Sequence, residues 1–407
     1  MKLKKILLVL LLLIPISVNA LEYPQINSKM IEVFDLDDSK VLYELNSKET
    51  TAIASLTKIA TTMVAIENIE NLDEKVTITW GILNTVSYDA HKVGLKAGSQ
   101  VTYRDLLYAT MVSSGADAAN ALAILSSESI ANHVNKMNDL AKKLGLEHTH
   151  FSDVIGLDDN TDISTADELR KLLVYCLKNP TFKEIYTAKK HTLSNGLVTN
   201  TSIDLYNNYG SIDTSFIIGS KTGFTDVAGY CLSYITNING HEMLIISLKA
   251  ERKGNTYYNI VDASNIVKFM RDNYKDEILT PKDAIVKTIS VKLSHTDKID
   301  IHASKDIKKY LPSDYDIKNY KIVYDGKEEL DFRTHKGDKI GKISYYYNDE
   351  LLLDQEILLK EKIDIDFIKV LKTYYLLIIA VILIITILVL LIRKKKKRRR
   401  KRRIKKY

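Results

Sequence analysis

Ser55 and Lys58 are the residues of this 407-residue chain whose types and spacing could do chemistry together. They lie in the run 54–67, where Leu56, Ile59, Ala60 and Met63 fall at the i, i+3, i+4, i+7 spacing of a helix and few polar residues intervene. Residues three apart on a helix share a face, so the serine hydroxyl and the lysine amine can meet. A serine oxygen that attacks a carbonyl needs a base to take its proton, and a neutral lysine amine can serve. The helix N-terminus adds backbone N–H groups and a positive dipole end where an oxyanion would form. A lysine base must be neutral, although its ordinary pKa is about 10.4; burial and a second cation nearby both lower it. No other serine in the chain has a lysine three positions later.

Two more groups stand at the ends of predicted elements. Ser113-Ser114-Gly115-Ala116-Asp117-Ala118-Ala119-Asn120 falls at the junction of two helical patterns, with Ser114 59 residues after Ser55. Lys221-Thr222-Gly223 ends a strand-like run, with Lys221 166 residues after Ser55. The elements that must position them mix helix and strand. Runs 30–36 and 40–46 form a hairpin around Asp37-Asp38-Ser39, and helical periodicity fills 103–144 in three segments, the last closing at Gly145. A helix over 165–177 stops before Pro180. Strands are predicted at 216–222, 230–236 and 243–248, the last two joined by the turn dipeptide Asn239-Gly240, before a helix over 256–274. An antiparallel sheet with a separate helical block is an α/β domain, here 21–276. Beyond Pro281 the runs 285–293, 320–324, 342–347 and 351–359 predict a small all-β domain over 280–365.

The ends predict a destination. Lys2, Lys4 and Lys5 precede an apolar run and Val18-Asn19-Ala20, the pattern of a signal peptide over 1–20. Residues 374–392 are continuously apolar and long enough to span a bilayer, and 393–407 carry 13 Lys or Arg and no acid. Basic flanks stay cytoplasmic, so the chain is expected to be a single-pass cell-membrane protein with its catalytic domain outside. The basic tail suits anionic lipid headgroups. With the tail and the three signal-peptide lysines set aside, 42 basic residues face 51 acidic ones, which leaves no electrostatic footprint for nucleic acid. Cys176 and Cys231, the only cysteines, read as two buried free thiols, with one bridge as the alternative.

Together, Ser55-Leu56-Thr57-Lys58, Ser114-Gly115-Ala116 and Lys221-Thr222-Gly223 resemble the ordered S-x-x-K, S-x-N and K-T-G set of penicillin-binding proteins and class A β-lactamases. The chain is most similar to the low-molecular-mass penicillin-binding proteins, the serine-type D-alanyl-D-alanine carboxypeptidases. Met137-Asn138, Leu144-Gly145-Leu146, Gly156-Leu157, Thr199-Asn200-Thr201, Gly223-Phe224-Thr225 and Ala228-Gly229-Tyr230 add to the likeness. The resemblance implies a transpeptidase-type domain, a C-terminal β domain as a stalk, and membrane attachment. It implies Ser55 as the nucleophile that forms an acyl-enzyme, Lys58 as its base and Ser114 as the proton relay to the leaving amine. Lys221, Thr222, Gly223 and Phe224 would bind substrate, with Thr222 on its terminal carboxylate. The oxyanion hole would be formed by the N–H groups of Ser55 and Phe224. The expected partners are peptidoglycan stem peptides and β-lactam antibiotics, with no cofactor and no metal. The chain departs from the pattern at Ala116, where the family has asparagine, and Asn120 does not count as its replacement.

Alternatives stay open. Ala116 is compatible with a weakened contact, an altered substrate preference, or a protein kept for binding peptidoglycan without turnover. A β-lactamase is disfavoured by the β domain and the span. His148 and His150 have ligand-like spacing but no accompanying carboxylate or cysteine cluster.

Overall fold

Asn239 and Gly240 both adopt positive φ (56° and 98°), the conformation of the tightest hairpin turn, and they join β4 (Gly229–Ile238) to β5 (His241–Ala250). This is a computed structural model of the chain; it describes residues 21–157, 160–204 and 212–404, so the predicted signal peptide and the last three tail residues lie outside the described residues. β5 then pairs antiparallel with β1 (Met30–Asp35), and β1 with β2 (Lys40–Leu45). On the other side β4 pairs with β3 (Gly219–Thr225), giving the sheet order β2-β1-β5-β4-β3. Residues 231–236 of β4 are buried without interruption, which marks a strand covered on both faces. Leu244, Ile246 and Leu248 of β5 point into the main core. On β4, Tyr234 donates its hydroxyl to the Ala263 carbonyl of the helix Tyr258–Asn273 (3.4 Å).

The helical block surrounds α1 (Lys58–Asn68), whose residues 58–65 are all buried. It packs against α2 (Tyr103–Met111), α3 (Ala116–Ser127) and α4 (Ile130–Lys143). Thr102 and Asp105 close a capping box at the start of α2, and Gly145 (φ 69°) ends α4 with Leu146 N–H reaching back to the Ala141 carbonyl. α5 (Ala166–Leu177) ends where expected, but Pro180 opens a further helix, α6 (Pro180–Thr187), because Asn179 caps it and proline suits a first helical position. The sheet strand carrying Lys221 starts three residues later than predicted, at Gly219, because pairing with β4 across the turn (Thr225 opposite Gly229) sets its register.

Residues 21–274 form one unit and the chain from 275 another. In the second unit, β6 (Ile285–Val291), β7 (Lys298–His302) and β9 (Glu329–Leu330) make one sheet; β8 (Tyr320–Gly326), β10 (Lys339–Tyr347) and β11 (Glu350–Leu358) make the other. Ile289, Ile301, Ile343, Tyr345 and Ile357 fill its core. The apolar run lies inside a longer helix, Phe367–Ile404, which by length and composition is long and apolar enough to cross a membrane.

α5 is tied to the sheet by one ion cluster. Arg170 donates to Glu32 on β1 (2.5 Å) and to Asp167 (2.5 Å), and its guanidinium lies over the Phe34 ring (4.8 Å). Burial, opposed by Arg170, raises the Glu32 pKa. Removing one partner of a buried pair strands the other charge. Arg170→Leu is therefore expected to destabilise the unit 21–274 by about 3 kcal/mol, read as a lowered urea midpoint. Glu32→Leu with Arg170→Leu should recover most of that loss, and a double variant no better than the single would show that packing, not charge, is at stake.

Candidate active site

Ser55 sits not in an α-helix but in a 3₁₀ turn, Ala54–Thr57, that feeds α1. With three residues per turn, side chains at i and i+3 eclipse. The Lys58 Nζ is accordingly 2.9 Å from the Ser55 Oγ. It also donates to the Ile155 carbonyl at 2.7 Å. Ala54, immediately before the serine, has φ 49°, a sparsely populated conformation for a side-chain-bearing residue.

The Ile155 carbonyl is placed by its loop. Thr61 of α1 donates to the Val154 carbonyl (2.8 Å), and the Asn138 side chain holds both the N–H and the carbonyl of Phe151 (2.9 and 2.7 Å). Asp153 accepts from the N–H groups of Ile155 (2.6 Å), Gly156 and Leu157 (3.0 Å). Gly156 has φ 80°, and a Cβ there would lie 1.9 Å from the Ala54 carbonyl oxygen. Only glycine lets this loop pass so close behind the serine.

A second amine lies across the site. Lys221 on β3 donates to the Ser114 Oγ (2.9 Å) and to the Thr222 carbonyl (2.6 Å). The Thr222 hydroxyl meets Ser202 at 2.5 Å. Ser114 has φ 61°, a second non-glycine in the left-handed region. A Cβ at Gly223 would come within 2.9 Å of the Ser55 N, so glycine brings β3 against the serine turn. Phe224 is half exposed and stacks on Tyr230 (centroids 4.3 Å apart).

Both amines are fully buried, and burial is the chief cause of their pKa shifts. Lys58 falls to about 7, with Asp153 and Asp162 opposing the fall. Lys221 is driven well below the ordinary lysine range by burial and then by the charge of Lys58. Asp162 is pushed up to about 8 by burial and by Asp153. A neutral Lys58 has a lone pair, so the 2.9 Å contact can run in reverse with the Ser55 hydroxyl donating. The arrangement can therefore deprotonate a serine and hold a second hydroxyl beside a second amine.

Ser55, Lys58, Ser114, Lys221, Thr222 and Gly223 are thus brought together, with Phe224 at the rim. Ala116 is buried and offers only a methyl group. The Asn120 amide donates to the Thr85 carbonyl and hydroxyl (3.2 and 3.0 Å). The motifs did not reveal the Ile155 carbonyl or Ser202. A backbone acceptor has no residue type, although Gly156 beside it was a visible hint. His148 lies against Glu168 (3.0 Å), and His150 Nδ1 lies 3.0 Å from the Thr161 carbonyl. Cys176 and Cys231 are free and buried.

The D-alanyl-D-alanine carboxypeptidase family, peptidase S11, matches residues 17–252, and the C-terminal domain of penicillin-binding protein 5 matches 274–364. The D-alanyl-D-alanine carboxypeptidase DacF of Bacillus subtilis is 26% identical over 360 residues, 85% of this chain and 88% of DacF. A D-alanyl-D-alanine endopeptidase of Escherichia coli is 30% identical over 60% of this chain and 77% of its own length. The crystal structure of penicillin-binding protein 5 from Haemophilus influenzae superposes with a TM-score of 0.59 at 23% identity, covering 84% of this chain and 99% of that one.

Two measurements test the geometry. The neutral fraction of Lys58 grows as pH rises, so labelling of Ser55 by a fluorophosphonate should climb through pH about 7 to a plateau. Lys58→Arg, permanently protonated, should remove that rise; a flat profile in the unmodified chain would refute the assigned base form. Gly156→Val should abolish labelling and lower the melting temperature, because the added Cβ collides with main chain. Full labelling in that variant would mean the loop is not held behind Ser55.

Proposed function

Because the chain belongs to the D-alanyl-D-alanine carboxypeptidase family, whose members are serine peptidases acting on peptidoglycan peptides and binding β-lactams, we propose that it removes the terminal D-alanine from stem peptides through an acyl-enzyme on Ser55. The observation that carries this reading is the 2.9 Å contact between the Ser55 Oγ and the buried Lys58 amine. In the proposed reaction, Lys58 takes the hydroxyl proton while Ser55 Oγ attacks the carbonyl carbon of the penultimate D-alanine. The N–H groups of Ser55 and Phe224 stabilise the oxyanion. As the peptide bond breaks, Ser114 passes a proton to the departing D-alanine amine, and Lys221 holds Ser114 in place. Thr222 binds the substrate's terminal carboxylate. Water then attacks the ester and frees the shortened peptide and Ser55. A β-lactam would acylate the same oxygen, its ring amide standing in for the scissile bond.

The helix Phe367–Ile404 and the basic residues after Ile392 support a membrane anchor with the catalytic unit on the outer face and the C-terminus in the cytoplasm. Ala116 supports a second reading, in which the site binds stem peptides with little turnover.

The deciding assay is D-alanine release from a stem pentapeptide ending in D-Ala-D-Ala, using the full chain in detergent. Release that falls at least about a thousandfold in Ser55→Ala would support the carboxypeptidase. Peptide binding without release would replace it with the binding reading. Rapid, repeated hydrolysis of penicillin would instead point to a β-lactamase.

A further inference from the structure

The stretch 85–95 crosses the start of α3 as a strap, and three contacts fix it there. Asn120 holds Thr85 at one end. The buried Asp117 carboxylate accepts from the N–H groups of Val93, Gly94 and Leu95, each at 2.9 Å. Between these anchors, the Ala116 N–H donates to the His91 carbonyl at 2.8 Å. The fit is close, since a Cβ on Gly115 would lie 2.7 Å from the Val93 side chain. His91 is therefore the strap residue whose main chain is locked onto position 116, the position at which the family pattern has an amide and this chain has a methyl group.

His91 is exposed, and its carbonyl sits on the N–H of residue 116, two positions after Ser114. Partial burial holds its pKa below the ordinary imidazole value, with Asp117 opposing and any charge on Lys58 or Lys221 adding to the fall. A neutral imidazole offers one N–H donor and one acceptor nitrogen, the same pair of functions that a carboxamide offers through its NH₂ and its oxygen. Nearby on the strap, Lys92 is committed to Tyr88, reaching its carbonyl at 3.4 Å and its ring at 5.7 Å.

We propose that His91 is a substrate-contacting residue, its imidazole N–H donating to an amide carbonyl of the bound stem peptide in place of the asparagine that position 116 lacks. This rests on the acyl-enzyme reading of the site. It also gives the clamp a purpose, because a donor carried on a strap must be fixed as firmly as one carried on a helix.

The test is the second-order rate of acylation by a fluorescent penicillin, measured on the full chain in detergent alongside kcat/KM for D-alanine release. His91→Ala should lower acylation about tenfold, the scale of one lost hydrogen bond, at unchanged melting temperature. His91→Gln, which keeps a donor, should lose less. Ala116→Asn added to His91→Ala should recover most of the rate, since the amide returns to its usual place. An acylation rate within about twofold of the unmodified chain in His91→Ala would overturn the proposal. A loss that Ala116→Asn does not repair would also overturn it, leaving His91 as a support for the strap. If the unmodified chain forms no adduct, the acyl-enzyme reading fails and this proposal with it; adduct formation that is indifferent to His91 sinks this proposal alone.

Discussion

Two buried amines in one site cannot both hold a proton at little cost, and much of the domain is arranged around that constraint. Lys58 and Lys221 are each almost wholly buried, and among the described residues neither is ion-paired with a carboxylate. Their partners are neutral oxygens: the Ile155 and Thr222 carbonyls and the Ser55 and Ser114 hydroxyls. Neutral partners satisfy N–H groups without pulling the pKa back up, as a paired carboxylate would. A fall from 10.5 to about 7 at Lys58 corresponds to about 5 kcal/mol of bias against the charged form. That bias is what makes a lysine usable as a base near neutral pH.

Such a site needs main chain held rigidly where side chains would normally do the work. Gly156 passes behind the serine and Gly223 in front of it, each at a distance where a Cβ would force a shift. Ala54, next to Ser55, and Ser114, beside Lys221, carry the positive-φ strain. Each strained residue costs on the order of 1–3 kcal/mol, and the surroundings supply the restraint. Asn138, Thr61 and Asp153 hold the 151–157 loop, and the sheet ladder holds β3. The Arg170–Glu32 pair fixes α5, whose preceding residues Ile163 and Ser164 pair with Thr51 and Ala52 just before the serine turn.

The sequence reveals what depends on residue type and period. The α1 periodicity, the Asn239-Gly240 turn and the ordered trio of motifs lead to an antiparallel sheet with a helical block, and to six side chains and a glycine that the fold then gathers. What stayed hidden depends on geometry. The 3₁₀ onset at Ala54 has no compositional mark, and neither has the close approach of Gly156 to the Ala54 carbonyl. The start of β3 depends on its partner strand, and the strand-like run 216–222 alone could not set it. Pro180 looked like a stop, but a stop and a first helical residue are the same signal read from opposite sides.

At position 116 the chain departs from the motif, and the polar residues that follow it are engaged elsewhere. Asp117 and Asn120 lie on the same first turns of α3, and both could in principle present polar groups to a ligand. Both are spent on the strap: the Asp117 carboxylate meets three N–H groups, and the Asn120 amide meets Thr85. Drawing Asp117 away would leave the N–H of the buried Leu95 unsatisfied, at a cost of about 1–3 kcal/mol, and would release Val93 and Gly94 with it. Both polar side chains of this part of the helix are thus engaged away from position 116. On the strap that these two residues hold, the residue whose carbonyl accepts from the Ala116 N–H is a histidine.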